Sequence, residues 1–79
     1  MIYWPAVVSG LQRRRWAAQL EKTAPPRLTV AAAADLLRLD RGRFLAFLRG
    51  RLGLTVSLTS EMARETLVDR LRRAGSAER

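Results

Sequence analysis

Arginine is the residue type whose number and spacing in this sequence indicate chemistry. Fourteen of the fifteen basic residues are arginine. Five of them fall within Arg38–Arg51, a segment in which Asp40 is the only acid. The planar guanidinium group binds phosphates and the edges of guanine bases. The segment therefore favours binding to nucleic acid, although a GC-rich coding genome would produce the same excess of arginine.

The residue types that are missing exclude several kinds of catalytic and metal site. The sequence has no cysteine and no histidine, which excludes disulfides, zinc fingers, thiol chemistry and imidazole catalysis. The hydroxyls of Ser57, Thr59 and Ser60 have no evident base to activate them. Glu61, Glu65 and Asp69 allow a metal cluster, but their spacing is more typical of a charged helix surface. We therefore expect no enzymatic activity, no metal and no cofactor.

The composition predicts one small domain that attracts polyanions. The chain has 79 residues, of which 48% are hydrophobic, so it can fold around a thin core that a second copy would help to complete. Its formal charge of +8 attracts nucleic acid over about a Debye length. Because we find no membrane-spanning apolar run and no secretory leader, we expect a cytoplasmic protein without membrane contact.

Apolar periodicity predicts a mainly α fold of about four helices. The helices are expected at about 9–22, 30–39, 40–52 and 59–74, followed by a flexible tail at 75–79. Thr29 and Asp40 are expected to cap the second and third helices, and Gly53 to end the third. The three arginines that start at Arg13 are expected to form a solvated surface of the first helix.

One or two short strands are expected beside the helices. Residues 54–58 alternate strictly between apolar and polar side chains, which is the period of a half-buried strand. Its pairing partner is expected to be Arg27–Val30, Ile2–Trp4 or the same strand of a second copy. The order helix, extended segment, helix, helix, strand is similar to a winged helix, with the last helix in place of the second wing strand. A ribbon-helix-helix fold is the rival.

The segment 30–52 has the residues that a helix-turn-helix core needs. Such a motif places a small residue where its helices approach and apolar residues at the packing positions. Ala34 occupies the close approach. The packing positions hold Ala33, Leu37, Leu39, Phe44 and Phe47. A plain helical hairpin would bury similar residues and is the alternative interpretation.

Residues 28–58 also resemble a known protein family. Matching positions are Leu28, Thr29, Ala33, Ala34, Leu36, Phe44 and Leu48, with Asp40 in place of a capping serine and Arg38 in place of a turn glycine. The family pattern is L-S-x-x-x-A-A-x-L-A-G-x-S-x-x-x-F-x-x-x-L. It is that of the DNA-binding half of small bacterial helix-turn-helix antitoxins and, more loosely, of excisionase and MerR-type regulators. The resemblance covers under half of the chain and implies a small DNA-binding regulator.

The third helix is the expected DNA-binding element. Residues expected to face a major groove are Asp40, Arg41, Gly42, Leu45, Ala46 and Arg49, with Arg43 and Arg51 toward phosphates and Arg38 in the same basic patch. Arg41 and Arg49 are the best candidates to contact guanine. Leu45 and Ala46 can touch only thymine methyl groups, which favours binding to DNA shape and phosphates, or a helix that faces protein instead.

A dimer or partner interface is expected on the C-terminal side of that helix. Its predicted residues are Leu54, Val56, Leu58, Ala63, Leu67 and Leu71. The last three form an apolar stripe that either docks onto a second copy or closes the core. We therefore expect a homodimeric regulator of double-stranded DNA. The alternative is a protein-interaction module that docks onto a toxin or polymerase through the Leu45/Ala46 face or the last helix; RNA binding is the third possibility.

Overall fold

The described chain folds into four helices and two short strands. The structure, a computed structural model, describes residues 4–77, with side chains to Arg73. In this part of the chain the elements are α1 (Gly10–Thr23), β1 (Arg27–Thr29), α2 (Val30–Leu36), α3 (Arg41–Gly50), β2 (Glu61–Ala63) and α4 (Arg64–Ala77). The predicted mainly α fold of four helices with short strands is confirmed. None of the described helices is long and apolar enough to cross a membrane.

Helix α1 begins at a side-chain cap and buries one face. The Ser9 hydroxyl accepts a hydrogen bond from the backbone N–H of the third helical residue at 3.2 Å. The buried face consists of Arg13, Trp16, Ala17 and Leu20. The expectation that Arg13 lies on a solvated surface is wrong, because its spacing places it on this face, where it is 1% exposed and its Nη1 donates to the carbonyl of Val8.

The two strands form a small antiparallel sheet. Their register places Leu28 opposite Met62, so the mate of β1 is β2. The predicted strand at 54–58 is wrong, because the backbone there bonds to the ends of helices: Leu54 donates to Leu48 in α3 at 3.0 Å, and Leu58 accepts from Ala31 in α2 at 3.0 Å. The predicted extended segment Ile2–Trp4 lies outside the described residues except for Trp4, which is in no strand.

Helix α4 starts later and ends later than expected. Residues 61–63 belong to β2, and the backbone N–H of Arg64 donates to the carbonyl of Pro26 at 2.8 Å. Residues 75–77, expected in a flexible tail, continue the helix, while 78–79 lie outside the described residues.

The apolar stripe of α4 closes the core instead of facing a partner. Leu67 and Leu71 are each 0% exposed, because α4 packs along α1. Ala63 lies in β2, where it is half-buried. The expectation that Leu67 and Leu71 form an exposed interface is therefore wrong.

An aromatic cluster joins α1 to α3. The ring of Trp16 lies 6.0 Å from that of Phe44 and 5.7 Å from that of Phe47, both in edge-to-face geometry. Trp4, before α1, stacks at 5.8 Å from Trp16 in a tilted arrangement. These contacts fix the inner face of α3 and so determine which of its residues face solvent.

Candidate nucleic-acid interface

A tight turn connects α2 to α3 and positions the two helices relative to each other. After α2, the backbone N–H of Leu39 donates to the carbonyl of Ala34 at 2.9 Å. Arg38 adopts a φ of 58° inside this turn, a left-handed conformation that glycine adopts more easily. The Asp40 carboxylate then caps α3 by accepting from the N–H of Arg43 at 2.9 Å. The cap predicted at Asp40 is confirmed.

The α2–α3 pair buries the residues that the sequence predicted at its packing positions. Ala33, Ala34 and Phe44 are fully buried, Leu39 and Phe47 are nearly so, and Leu37 is half-buried against the core. The outward side of α3 carries Arg41, Gly42, Arg43, Ala46, Arg49 and Gly50. Leu45 is half-buried and packs on the core, so it contributes less to the outward side than expected.

The middle of this outward side is nearly free of side chains. Gly42, Ala46 and Gly50 follow one another at four-residue spacing and are all exposed. A methyl group built on Gly50 would meet no atom within 4 Å, and one on Gly42 would lie 3.5 Å from the Asp40 carboxylate. The backbone of α3 is thus accessible to a large, flat or grooved partner along this line of small residues.

Arginines border the small residues, and three of them have no ion pair with any described residue. These are Arg38, Arg43 and Arg49, which are all exposed. Elsewhere in the described chain, Arg27, Arg72 and Arg73 form ion pairs with acids, whereas the exposed Arg14 and Arg15 on α1 form none with a described residue. Uncompensated positive charge therefore lies on the turn before α3 and on α3 itself, and also on α1.

Arg41, one of the two predicted guanine contacts, is held by an acid across the turn. Its guanidinium group donates to both carboxylate oxygens of Asp35, at 2.9 and 2.5 Å. This hydrogen bonding, together with the attraction of the two charges, lowers the pKa of Asp35 against the opposing effect of desolvation, and raises the pKa of Arg41. The pair is half-exposed, so a competing phosphate can open it. The sequence did not predict this pairing.

The predicted Arg51 lies beside the C-terminal end of α3. Its guanidinium carbon is 5.9 Å from the centre of the Phe47 ring, a cation–π distance. It therefore covers an aromatic side chain as well as adding charge.

Two surface features were not predicted. A hollow of about 370 Å³ between α1 and the α2–α3 turn is lined by Arg15 as well as Arg38, which extends the basic surface onto α1. A groove of about 430 Å³ lies on the other side of α3, lined by Trp4, Ala6, Val7, Val8, Arg43, Ala46, Phe47 and Arg51. Val7 on its rim is 76% exposed. The apolar run before α1 was the available sequence signal for this groove.

The described part of the chain offers no cluster of metal ligands. It contains no group of three or more acidic side chains placed to hold a metal ion. No protein-family model matches the chain, and neither a curated protein nor a solved structure gives a significant match.

Proposed function

We propose that this protein is a small DNA-binding regulator, in which α2 and α3 form a helix-turn-helix and α3 enters the major groove of double-stranded DNA. One observation carries the proposal: α3 presents a line of small residues bordered by Arg43 and Arg49, which have no ion pair with described residues. Its opposite face is fixed by the aromatic cluster. The helix is thus rigidly held and basic where it meets solvent.

The dimensions of α3 suit this role. Its ten residues make a helix about 15 Å long, and B-DNA has a major groove about 12 Å wide. Gly42, Ala46 and Gly50 would allow the backbone to approach the floor of the groove closely, while the arginines reach the phosphates. Because these small residues offer few groups that read bases, we infer binding governed by phosphates and DNA shape, with Arg49 as the main candidate for a guanine contact.

The order of elements supports the same proposal. Helix, strand, helix, helix and strand is a winged-helix-like order, in which a loop at residues 51–60 separates α3 from β2. Helix-turn-helix proteins often bind DNA as dimers on paired half-sites. A homodimer therefore belongs to the proposal.

Salt-dependent binding of two arginine variants tests the interface. Wild type, Arg43→Gln/Arg49→Gln and the control Arg72→Gln/Arg73→Gln are titrated into labelled random-sequence duplex between about 50 and 200 mM salt. The control removes the same charge from α4. If about four arginines contact phosphates, the wild-type log–log slope is near −4, and the first variant reduces it by about 2. A nearly flat wild-type response, or equal slopes for both variants, would contradict the proposal.

The ion pair of Arg41 provides a gain-of-binding test. Asp35→Asn removes one acid and releases Arg41, so DNA affinity should rise several-fold. Asp69→Asn is the matched control, because it releases Arg73 from an equally short pair on α4. The two variants change net charge equally. Equal gains would show that Arg41 has no special position on the DNA.

A second candidate function is binding of a protein partner such as a toxin or polymerase. The observation that favours it is the apolar groove between the segment before α1 and α3, with Val7 largely exposed on its rim. A partner seated there should be lost in Val7→Asp, with DNA affinity weakened only slightly by the added acid. The reverse is expected for Arg49→Gln, which lies outside the groove lining. Pull-down of a candidate partner and DNA titration of both variants separate the two functions.

A further inference from the structure

The loop between α3 and β2 has the side-chain pattern of a strand that lacks a mate. From Gly53 to Thr59, odd-numbered residues are exposed and even-numbered residues are half-buried. The half-buried ones, Leu54, Val56 and Leu58, pack on the core. The chain makes no turn or bend between Gly53 and Ser57. This stretch is therefore extended with a period of two, as in a strand.

The backbone hydrogen bonds of this loop leave Thr55 unpaired on one side. In an extended chain the N–H and C=O groups of successive residues point to opposite sides. Two of the even residues bond to helices, Leu54 to α3 and Leu58 to α2, while Val56 forms no backbone hydrogen bond within the described residues. Thr55 lies on the opposite side and forms no hydrogen bond within the described residues. Ser57 lies on the same side, but its N–H donates to the Ser60 Oγ and its C=O accepts from the Ser60 N–H. The open part of this side is therefore centred on the N–H and C=O of Thr55.

We propose that a second copy of the chain pairs with this edge in an antiparallel, two-fold arrangement centred on Thr55. The Thr55 residues of the two copies exchange both backbone hydrogen bonds, and Leu54 lies opposite Val56 of the second copy. In this register apolar side chains face apolar ones and polar face polar. The interface is isologous, as a two-fold dimer requires.

The charge distribution favours a second copy over other occupants. The chain has a net charge of +8, but residues 53–60 contain no charged side chain. Two copies can therefore meet here with less electrostatic repulsion than along the arginine-rich helices. The edge also lacks the lysine or proline that commonly protects an exposed strand edge from pairing. A polyanion would have no cation to bind in this segment.

This dimer does not depend on what α3 binds, because its contacts involve neither α3 side chains nor nucleic acid. Its tests are done without DNA. A failure here removes this form of the homodimer but leaves DNA binding by α3 standing, and a failure of DNA binding leaves the dimer intact.

Disulfide cross-linking tests the register. The chain has no cysteine, so single variants are unambiguous. Thr55→Cys should cross-link under mild oxidation much faster than Thr59→Cys in the same loop or Thr66→Cys on α4, all three positions being exposed. Rates for Thr55→Cys no greater than those of the two controls would overturn the proposed pairing.

Sedimentation equilibrium of Thr55→Pro tests the hydrogen bonds. Proline removes an N–H that has no partner within the described monomer, so the thermal unfolding of dilute protein should stay close to wild type. The dissociation constant of the dimer should rise about tenfold or more. Wild-type protein that remains monomeric at hundreds of micromolar, or undiminished dimerisation of a folded proline variant, would overturn the proposal. If the variant does not fold, the cysteine comparison decides.

Discussion

Arg38 shows how a single residue determines the geometry of the α2–α3 turn. It is the only non-glycine residue in the described chain with a positive φ, at 58°. The backbone changes direction at Arg38, and the next residue, Leu39, is buried in the core. Its side chain is exposed and has no described partner, so arginine is not required at this position for packing. Charge beside α3 is the remaining reason for an arginine.

Replacing Arg38 with glycine should therefore stabilise the fold. Arg38→Gly relieves a left-handed conformation that costs an L-residue about 1 kcal/mol, which corresponds to a rise of roughly 4–8 °C in melting temperature. Arg38→Ala is the control, because it removes the same charge and keeps the strained conformation. Thermal unfolding by circular dichroism gives both values. Identical melting temperatures for the two variants would show that the turn is not strained.

At the scale of elements, the exposed face of α3 contains two glycines, which are poor helix formers. Gly42 and Gly50 both lie within the helix, where glycine costs stability relative to alanine, and neither is required by a positive φ. Natural selection for stability alone would replace them. Their presence is consistent with a partner that approaches the backbone closely.

Alanine at these glycines should have opposite effects on stability and DNA binding. Gly42→Ala and Gly50→Ala should each raise the free energy of unfolding by about 0.5 kcal/mol, and should weaken DNA binding because a methyl group then separates α3 from the groove. Thr66→Ala, an exposed substitution in α4 that also favours helix, is the control for stability without loss of affinity. Urea unfolding and DNA titration measure the two quantities. Unchanged affinity in both glycine variants would contradict close approach.

The elements that the sequence predicted well are those whose signals are local. Thr29 and Asp40 cap their helices through backbone N–H groups three residues away, so the pattern and its cause lie together in the sequence. The strand predicted at residues 54–58 was wrong because alternating apolar and polar side chains indicate only that one face is buried. Strand pairing depends instead on which donors and acceptors lie beside the backbone. Turns and helix ends from elsewhere in the chain provide those groups. Strand pairing is non-local and cannot be read from one segment.

The candidate site was predictable to a similar degree. The exposed arginines of α3 follow from its period, since its apolar residues mark the buried side. The ion pair of Arg41 with Asp35 was missed because it spans the turn and depends on the angle between two helices. Burial of Leu67 likewise depends on α1 packing along α4. In each case the missing information was the relative placement of elements.

At the scale of the whole molecule, the same positive charges lower the stability of the fold and favour binding to a polyanion. A net charge of +8 on 79 residues repels itself in the folded state, which lowers stability at low ionic strength. The same charge attracts a polyanion. Described ion pairs on other surfaces, such as Arg27–Glu61 and Arg73–Asp69, are exposed and contribute little. Added salt should thus act mainly on the unpaired cations.

Salt should consequently stabilise the free protein while it weakens DNA binding. Raising ionic strength from about 10 to 100 mM shortens the Debye length from about 30 to 10 Å, so repulsion among Arg38, Arg43 and Arg49 is screened and the melting temperature should rise. Arg43→Gln/Arg49→Gln should show a smaller rise, together with its reduced slope for DNA binding, because the same two charges produce both effects. A melting temperature that falls with salt would mean that the surface ion pairs outweigh the repulsion. In that case these arginines would be balanced by acids in the folded protein and would not be free to bind a polyanion.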